Sequence, residues 1–143
     1  NIKHKQRILF LCTGNSCRSQ MAEGIARHFY ENDFDIESAG IEKHGMNPYA
    51  MKVMSEAGMD ISSQSSKTLD DVGTEFDTVI TVCDHAHENC PPFSRKTTIC
   101  HHPFADPPKL ALEVQTEEQK LECYRQVRNE IHHAMGSILK KIS

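Results

Sequence analysis

The sequence contains no tryptophan, and aromatic residues of all kinds make up only 6% of it. No apolar run approaches the ~20 residues needed to span a bilayer, and its first residues do not form a secretory signal pattern. Acidic residues outnumber lysine and arginine by 20 to 16, which gives a formal net charge of −4 and no basic footprint for nucleic acid. These absences predict a cytoplasmic protein that binds neither membranes nor nucleic acid.

What is present is a chain of 143 residues, a length that predicts one domain over 1–143. Hydrophobic residues make up 38% of it, enough for a core that needs no disulfide bonds to fold. Six cysteines in a chain without an export signal favour thiol chemistry or metal binding over a structural disulfide framework.

Short apolar runs alternate along the chain with segments of helical spacing. The run 8–11 is continuously apolar, as in a parallel strand buried on both faces. Further strands are predicted over 34–40, 76–83 and 96–104. Helices are predicted over 19–31, from the Asn47–Pro48 cap to Gly58, as a short turn at 68–72, and from the capping-box pair Thr116 and Gln119 to Ile142, whereas 103–115 is predicted to be loop. The alternation predicts an α/β fold with a doubly wound sheet.

The stretch "LFLCTGNSCRSQ" at 9–20 joins the first predicted strand to the first predicted helix. A helix N-terminus offers free N–H groups and a positive dipole to an anion, and Gly14 allows a loop whose N–H groups turn inward. Arg18 adds a planar fork matched to a tetrahedral oxyanion, and the same positive field favours a thiolate at Cys12. We therefore predict an oxyanion site with Cys12 as its nucleophile. The predicted oxyanion-binding residues are Thr13, Gly14, Asn15, Ser16, Cys17, Arg18 and Ser19.

The segment "LCTGNSCRSQMAEG" resembles the signature of the low-molecular-weight protein tyrosine phosphatase superfamily, and more narrowly that of its thioredoxin-coupled arsenate reductases. "SAGIEKHGMNP", the paired cysteines of "ITVCDHAHENCP", and "FADPP" continue the resemblance in order over nearly the whole chain. The resemblance implies a four-stranded parallel sheet flanked by helices on both faces, and an enzyme that reduces arsenate to arsenite. The alternative within the superfamily is a low-molecular-weight protein tyrosine phosphatase.

The same resemblance implies a role for each catalytic residue. Cys12 would attack arsenate, Cys83 would then attack Cys12, and Cys90 would carry the disulfide to the surface by thiol–disulfide exchange. Asp106 would be the general acid for the departing oxygen, and Arg18 would bind the oxyanion. Thioredoxin, or glutaredoxin, is the expected reductant. We also expect a monomer, no tightly bound cofactor, and a weak phosphatase side activity.

The segment "CDHAHENC" permits a different class of site. Cys83, His85, His87 and Cys90 could together ligate zinc, although their spacing is compressed compared with zinc fingers. The competing interpretation is that the two histidines are solvated loop residues. The sequence leaves both possibilities open.

Two departures from the family pattern bear on what the site binds. Phosphatases of this fold carry "RSP" and aromatic residues after the Asp-Pro, whereas this chain has "RSQ" and "DPPK", which favours a small inorganic oxyanion over a phosphotyrosine ring. Some reductases of this group hold potassium with residues that match Asn15, Glu23 and Ser38 plus an acidic residue. Lys67 replaces that acidic residue here, and an ammonium group would repel the ion, so we expect no potassium site.

Overall fold

Four strands and six helices alternate along residues 5–142, the part of the chain that this computed structural model describes. Residues 1–4 and 143 of the predicted domain lie outside the described residues. The strands are β1 (Gln6–Cys12), β2 (Phe34–Gly40), β3 (Thr78–Thr81) and β4 (Thr98–His101). The helices are α1 (Arg18–Tyr30), α2 (Pro48–Glu56), α3 (Leu69–Val72), α4 (Asp84–Glu88), α5 (Pro107–Ala111) and α6 (Glu117–Ile142).

The strands form one parallel sheet in the order β2-β1-β3-β4. The connections β1–α1–β2 and β3–α4–β4 run in opposite directions across this sheet, and right-handed crossovers then place α1 and α4 on opposite faces. The predicted four-stranded sheet with helices on both faces is confirmed. The continuously apolar run 8–11 is completely buried in the centre of β1, as expected for a strand covered on both sides.

Local sequence signals explain where the helices begin. The Asn47 side chain accepts from the backbone N–H groups of the first turn of α2, and Pro48 occupies the first helical position. Thr116 and Gln119 exchange side-chain and backbone hydrogen bonds as a capping box before α6. Along its length α6 packs against α1, α2 and α5.

The structure differs from the sequence prediction in several elements. Among them are β4, which covers only Thr98–His101 of the predicted 96–104, and α4, which the sequence does not predict. The segment 103–115 is not all loop, because α5 forms within it. Pro107 occupies the first helical position, where the backbone N–H that proline lacks would have no partner within the helix. Strand β3 is shorter than the predicted 76–83, since the chain turns into α4 immediately after Cys83.

No helix in the described part of the chain combines the length and the apolar character needed to cross a bilayer.

Candidate active site

Two cysteines meet where the central strands of the sheet end. Cys12 is the last residue of β1, and Cys83 follows β3 as the N-cap of α4. The strand order reverses between β1 and β3, which is where open α/β sheets bind their ligands. The two thiols lie close enough for each to shift the pKa of the other, and both side chains are buried, with 5% of Cys12 and 2% of Cys83 exposed. The structure therefore brings together these two predicted catalytic residues.

The pKa values of Cys12 and Cys83 shift in opposite directions, and the loop alone does not predict these directions. The hydrogen bond from Cys12 lowers the pKa of Cys83 to about 5, helped by Thr13 Oγ1 and the backbone N–H of Ala86, each 3.4 Å from the sulfur, and by the charge of Arg18. The hydrogen bond to Cys83, burial and the negative charge on Cys83 raise the pKa of Cys12, although Arg18 acts in the opposite direction. In this geometry the pKa directions favour the negative charge on Cys83, whereas the loop alone predicts it on Cys12, and the thiolate at Cys12 stays a prediction.

Arg18 lies at the start of α1 with a side chain that is 13% exposed. Its Nη1 donates to the Phe104 carbonyl at 3.0 Å, and its Nη2 lies 3.7 Å from Asp106 Oδ1. Its Nε is buried and has no hydrogen-bond partner among the described residues. A buried donor without a partner is destabilising, and an oxyanion on the loop would satisfy it.

The loop between β1 and α1 is shaped by Asn15, which has a left-handed backbone with φ of 47°. Asparagine tolerates this conformation better than most residues. Its amide is completely buried and fully used, with four partners at 2.7 to 2.9 Å. They are Ser19 Oγ, Ser38 Oγ, Gln20 Nε2 and the backbone N–H of Lys67. The side chains of Asn15 and Ser19 therefore hold the loop. Neither Nδ2 nor Oδ1 of the Asn15 side chain is left to bind an anion.

Gly14 and Gly40 allow the loop to lie against the chain that follows β2. A Cβ on Gly14 would come within 2.1 Å of the His44 ring, and one on Gly40 within 2.7 Å of the Asn15 backbone nitrogen. The Gly14 carbonyl accepts from His44 N at 2.9 Å and from Ser66 Oγ at 3.0 Å. Close packing, rather than the backbone freedom expected from the sequence, is the reason for glycine at position 14.

Several supporting residues were missed in the sequence. Gln20, His44 and Ser66 hold the loop, and Asn47 donates its backbone N–H to the Ser16 carbonyl at 3.0 Å. Gln20 could have been found from the sequence, because it is a polar residue among the buried residues of the first half of α1. The others come from segments that are distant in sequence, so nothing local marks them.

The remaining predicted site residues take different positions. Cys17 is buried inside the loop, and this burial raises the pKa of its thiol. The side chain therefore packs as a small apolar group. Asp106 is the N-cap of α5 and faces Arg18 with a side chain that is 39% exposed. Cys90 is half-buried two residues beyond the end of α4, so that Cys83 and Cys90 flank this helix at opposite ends.

The zinc alternative does not fit this arrangement. Cys83 faces Cys12, the His85 side chain lies next to Asn89, and the His87 ring stacks on that of His101. Within residues 5–142, no three histidine, cysteine or acidic side chains are grouped in a way that could hold a metal ion.

The residues at the possible potassium position do not fit that ion either. Glu23 Oε1 accepts from Ser38 Oγ at 2.5 Å and lies 3.5 Å from Lys67 Nζ. Lys67 Nζ also donates to the Ser65 carbonyl at 2.9 Å, and Arg27 binds the other oxygen of Glu23 at 2.8 Å. Both carboxylate oxygens of Glu23 are therefore already paired with basic groups, Oε1 with the Lys67 ammonium and Oε2 with the Arg27 guanidinium.

Known proteins are similar to this chain in both sequence and fold. The family model described as low molecular weight phosphotyrosine protein phosphatase matches residues 7–143. An arsenate reductase of Halalkalibacterium halodurans is 46% identical over 129 residues, which are 90% of this chain and 91% of that protein. A solved arsenate reductase in its phosphate-binding state has a TM-score of 0.80 and 31% identity, with 96% of this chain and 99% of that one covered. A thioredoxin-dependent arsenate reductase of Corynebacterium glutamicum has a TM-score of 0.68 and 25% identity, with 99% of this chain and 65% of that one covered.

Proposed function

The chain belongs to the low molecular weight phosphotyrosine protein phosphatase family, and from that premise we propose that it is an arsenate reductase, which converts arsenate to arsenite. Its similarity to arsenate reductases over most of their length supports this activity. The buried Nε of Arg18, which has no partner among residues 5–142, also supports it, because a tetrahedral oxyanion suits a free guanidinium N–H.

The observation that carries the proposal is the pair of buried cysteines, Cys12 and Cys83, where the two central strands end. Hydrolysis of a phosphate ester needs one nucleophile and one acid, and has no use for a second thiol beside the first. Reduction of arsenate needs two electrons, which two thiols supply when they become a disulfide. A buried pair of cysteines at the oxyanion loop therefore favours a reductase over a phosphatase.

In the first step, the Cys12 thiolate attacks the arsenic atom and an arsenate hydroxyl leaves as water. This attack needs the negative charge on Cys12, so the proton of Cys12 must first pass to Cys83 along their hydrogen bond. Asp106, which lies across from Arg18, would protonate the departing oxygen. The product is a thiol–arsenate adduct in which arsenic is still pentavalent.

In the second step, Cys83 reduces the adduct. Its proton passes to an arsenic-bound oxygen of the adduct, because Thr13 and the backbone N–H of Ala86 still stabilise the Cys83 thiolate. This thiolate attacks the Cys12 sulfur, the sulfur–arsenic bond breaks, and the electron pair of that bond stays with arsenic. Trivalent arsenite leaves, and Cys12 and Cys83 are joined as a disulfide.

Cys90 and an external dithiol complete the cycle. Cys90 attacks Cys83, releases Cys12 as a thiolate and carries the disulfide away from the oxyanion loop. A thioredoxin-type dithiol protein, or glutaredoxin with glutathione, then reduces the Cys83–Cys90 disulfide. The existence of a thioredoxin-dependent relative supports thioredoxin as the donor.

We further propose a monomeric, cytoplasmic enzyme of one domain that needs no tightly bound cofactor. Lys67 takes the place of a potassium ion beside Glu23, which supports the absence of that ion. A weak phosphatase side activity is expected because Cys12, Arg18 and Asp106 are also the groups that ester hydrolysis requires.

Serine substitutions at the three relay cysteines test the proposal. Cys12→Ser should abolish arsenite formation and hydrolysis of p-nitrophenyl phosphate, whereas Cys83→Ser and Cys90→Ser should abolish only arsenite formation with thioredoxin. Arg18→Ala should lower both activities about 10²–10³-fold, since it removes a charged donor from the oxyanion. Cys123→Ser, on α6, is the matched control and should leave both activities unchanged.

Two results would contradict this function. If Cys83→Ser retained most of the arsenite formation, the relay would be wrong. Rapid phosphotyrosine hydrolysis without arsenate reduction under any donor would make the protein a phosphatase instead.

A further inference from the structure

Helix α4 has little of its own to keep it in place. It comprises only Asp84–Glu88, far fewer residues than a helix that is stable alone in water. Ala86 is its one buried residue. The Cys83 sulfur caps it by accepting from the backbone N–H of Ala86 at 3.4 Å. Other contacts must therefore hold α4, and with it Cys83, against the sheet.

His101, at the end of β4, makes such contacts with both the sheet and the helix. Its Nε2 lies 2.9 Å from Asp84 Oδ1, at the first residue of α4, and its Nδ1 lies 2.8 Å from Thr81 Oγ1 in β3. Its ring stacks on that of His87 with centroids 4.1 Å apart and planes inclined by 17°. We call Thr81, Asp84, His87 and His101 the His101 clamp.

The clamp engages both ring nitrogens of His101. The Asp84 carboxylate can only accept, so Nε2 of His101 donates to it, and Nδ1 shares a hydrogen bond with the Thr81 hydroxyl. Thr81 is completely buried, whereas the Asp84 side chain is 77% exposed. His101 thus connects a fixed position in the core to the first turn of α4, the turn that Cys83 caps.

We propose that His101 is a positioning residue for the relay, whose clamp keeps α4 folded so that Cys83 stays beside Cys12 and apart from Cys90. The inference rests on the proposed function in so far as the three cysteines form a relay. A closed clamp favours the Cys12–Cys83 disulfide, and an open one lets Cys83 reach Cys90. The clamp therefore sets the order in which the two disulfides form.

A glutathione experiment tests the clamp without arsenate. The full-length protein carries Cys12→Ser, and oxidised glutathione is added. Cys83 displaces one glutathione thiolate to give a mixed disulfide, and Cys90 displaces the second. Adding His101→Ala should speed formation of the Cys83–Cys90 disulfide about tenfold, the equivalent of losing one hydrogen bond to a charged group. Asp84→Ala, a change at the exposed end of the clamp, should act in the same direction.

An arsenate experiment tests the other side of the same equilibrium. In protein carrying Cys90→Ser, one equivalent of arsenate should give the Cys12–Cys83 disulfide, and His101→Ala should slow its formation about tenfold for the same reason. The pH at which Cys83 is half-alkylated should also rise, because a loosened α4 withdraws the Ala86 N–H from the sulfur.

Two controls separate positioning from a general loss of stability. His85→Ala removes a histidine of α4 whose side chain contacts Asn89 rather than the clamp, and it should change neither rate. Val127→Ala in the core face of α6 should lower the melting temperature without changing either rate.

The outcomes are distinct. Opposite changes in the two rates, seen for His101→Ala and not for the controls, support the clamp. Rates that stay within about twofold, or that fall together, overturn it. If protein with His101 intact forms no Cys12–Cys83 disulfide with arsenate, the proposed function is wrong, and the glutathione experiment still decides whether His101 restrains α4.

Discussion

At the scale of single residues, the active site depends on where one negative charge is held. Cys83 has three hydrogen-bond donors directed at its sulfur, whereas Cys12 donates its own proton and is buried beside that charge. The factors that would favour a thiolate at Cys12, namely Arg18 and the backbone N–H of Thr13, are present but are outweighed. Removing the thiol of Cys83 should therefore let them prevail.

We predict that Cys83→Ser lowers the pKa of Cys12, because the substitution replaces a negatively charged hydrogen-bond acceptor with a neutral hydroxyl. Only the thiolate is alkylated, so the midpoint of the pH profile for alkylation of Cys12 by iodoacetamide should move to lower pH. Peptide mass spectrometry measures this midpoint. Cys90→Ser, at the other end of α4, should leave it in place. A midpoint that stays or rises in Cys83→Ser would mean that burial alone sets the pKa of Cys12.

The residue types at the site could be predicted from the sequence, but their individual tasks could not. Cys12 and Arg18 lie in one short loop between a strand and a helix, so local pattern sufficed to place them. The direction of the Cys12 pKa depends on Cys83, which is 71 positions away and meets it only through the pairing of β1 and β3. The sequence indicates Gly14 as the residue that lets the loop turn its N–H groups inward, whereas the left-handed residue is Asn15, whose side chain is held by contacts with Ser38 and Lys67.

At the scale of secondary structure elements, α4 separates the two cysteines that the proposed relay joins. Cys83 caps the start of α4 and Cys90 lies two residues beyond its end. Seven positions of continuous helix would be about 10.5 Å long at 1.5 Å per residue, whereas a disulfide needs Cα atoms about 4.4–6.8 Å apart. Because 84–88 is helical here, we expect α4 to unwind when the Cys83–Cys90 bond forms.

Hydrogen exchange should detect this unwinding. In protein oxidised by one equivalent of arsenate, we expect amide protection to fall across 83–95 relative to reduced protein, because a short helix with one buried residue is easily opened. Protection in β3 should not change and serves as the internal control. Equal protection of 83–95 in both states, with the Cys83–Cys90 disulfide confirmed by peptide mapping, would show that the bond forms without unwinding.

Elements with strong local signals were predicted closely. Strand β2 covers the predicted 34–40, and the Asn47–Pro48 and Thr116–Gln119 caps mark their helices. The sequence does not predict α5, because Pro107 and Pro108 favour a loop, although proline also fits the first turn of a helix. Helix α4 has no apolar periodicity to reveal it, since its support comes from His101 on another strand.

At the scale of the whole molecule, one buried polar network joins four distant parts of the fold. Glu23 of α1, Ser38 of β2, Asn15 of the oxyanion loop and Lys67 before α3 are connected by hydrogen bonds. Glu23 is almost completely buried, so its charge requires the cations beside it. Lys67 therefore stabilises the whole fold as well as the loop.

We predict that Lys67→Ala lowers the free energy of unfolding by about 1–2 kcal/mol, because Glu23 loses a charged partner at a buried position. Its melting temperature should then respond to potassium chloride more than to sodium chloride at equal ionic strength, whereas the parent protein should show no difference. Lys96→Ala, an exposed lysine, is the control. A parent protein stabilised specifically by potassium would contradict the assignment of Lys67 as the resident cation.

The cap of α4 has a consequence for energetics, because the group that caps the helix is also the group that the proposed relay oxidises. A sulfur in a disulfide would no longer carry the charge that the Ala86 N–H binds, so α4 would stabilise the dithiol form of Cys83 and Cys90 selectively. By linkage, stabilisation of a dithiol raises the reduction potential of its couple. We therefore expect a Cys83–Cys90 disulfide to be a stronger oxidant than an unconstrained one, with electron flow from an external dithiol favoured by the folding of five residues.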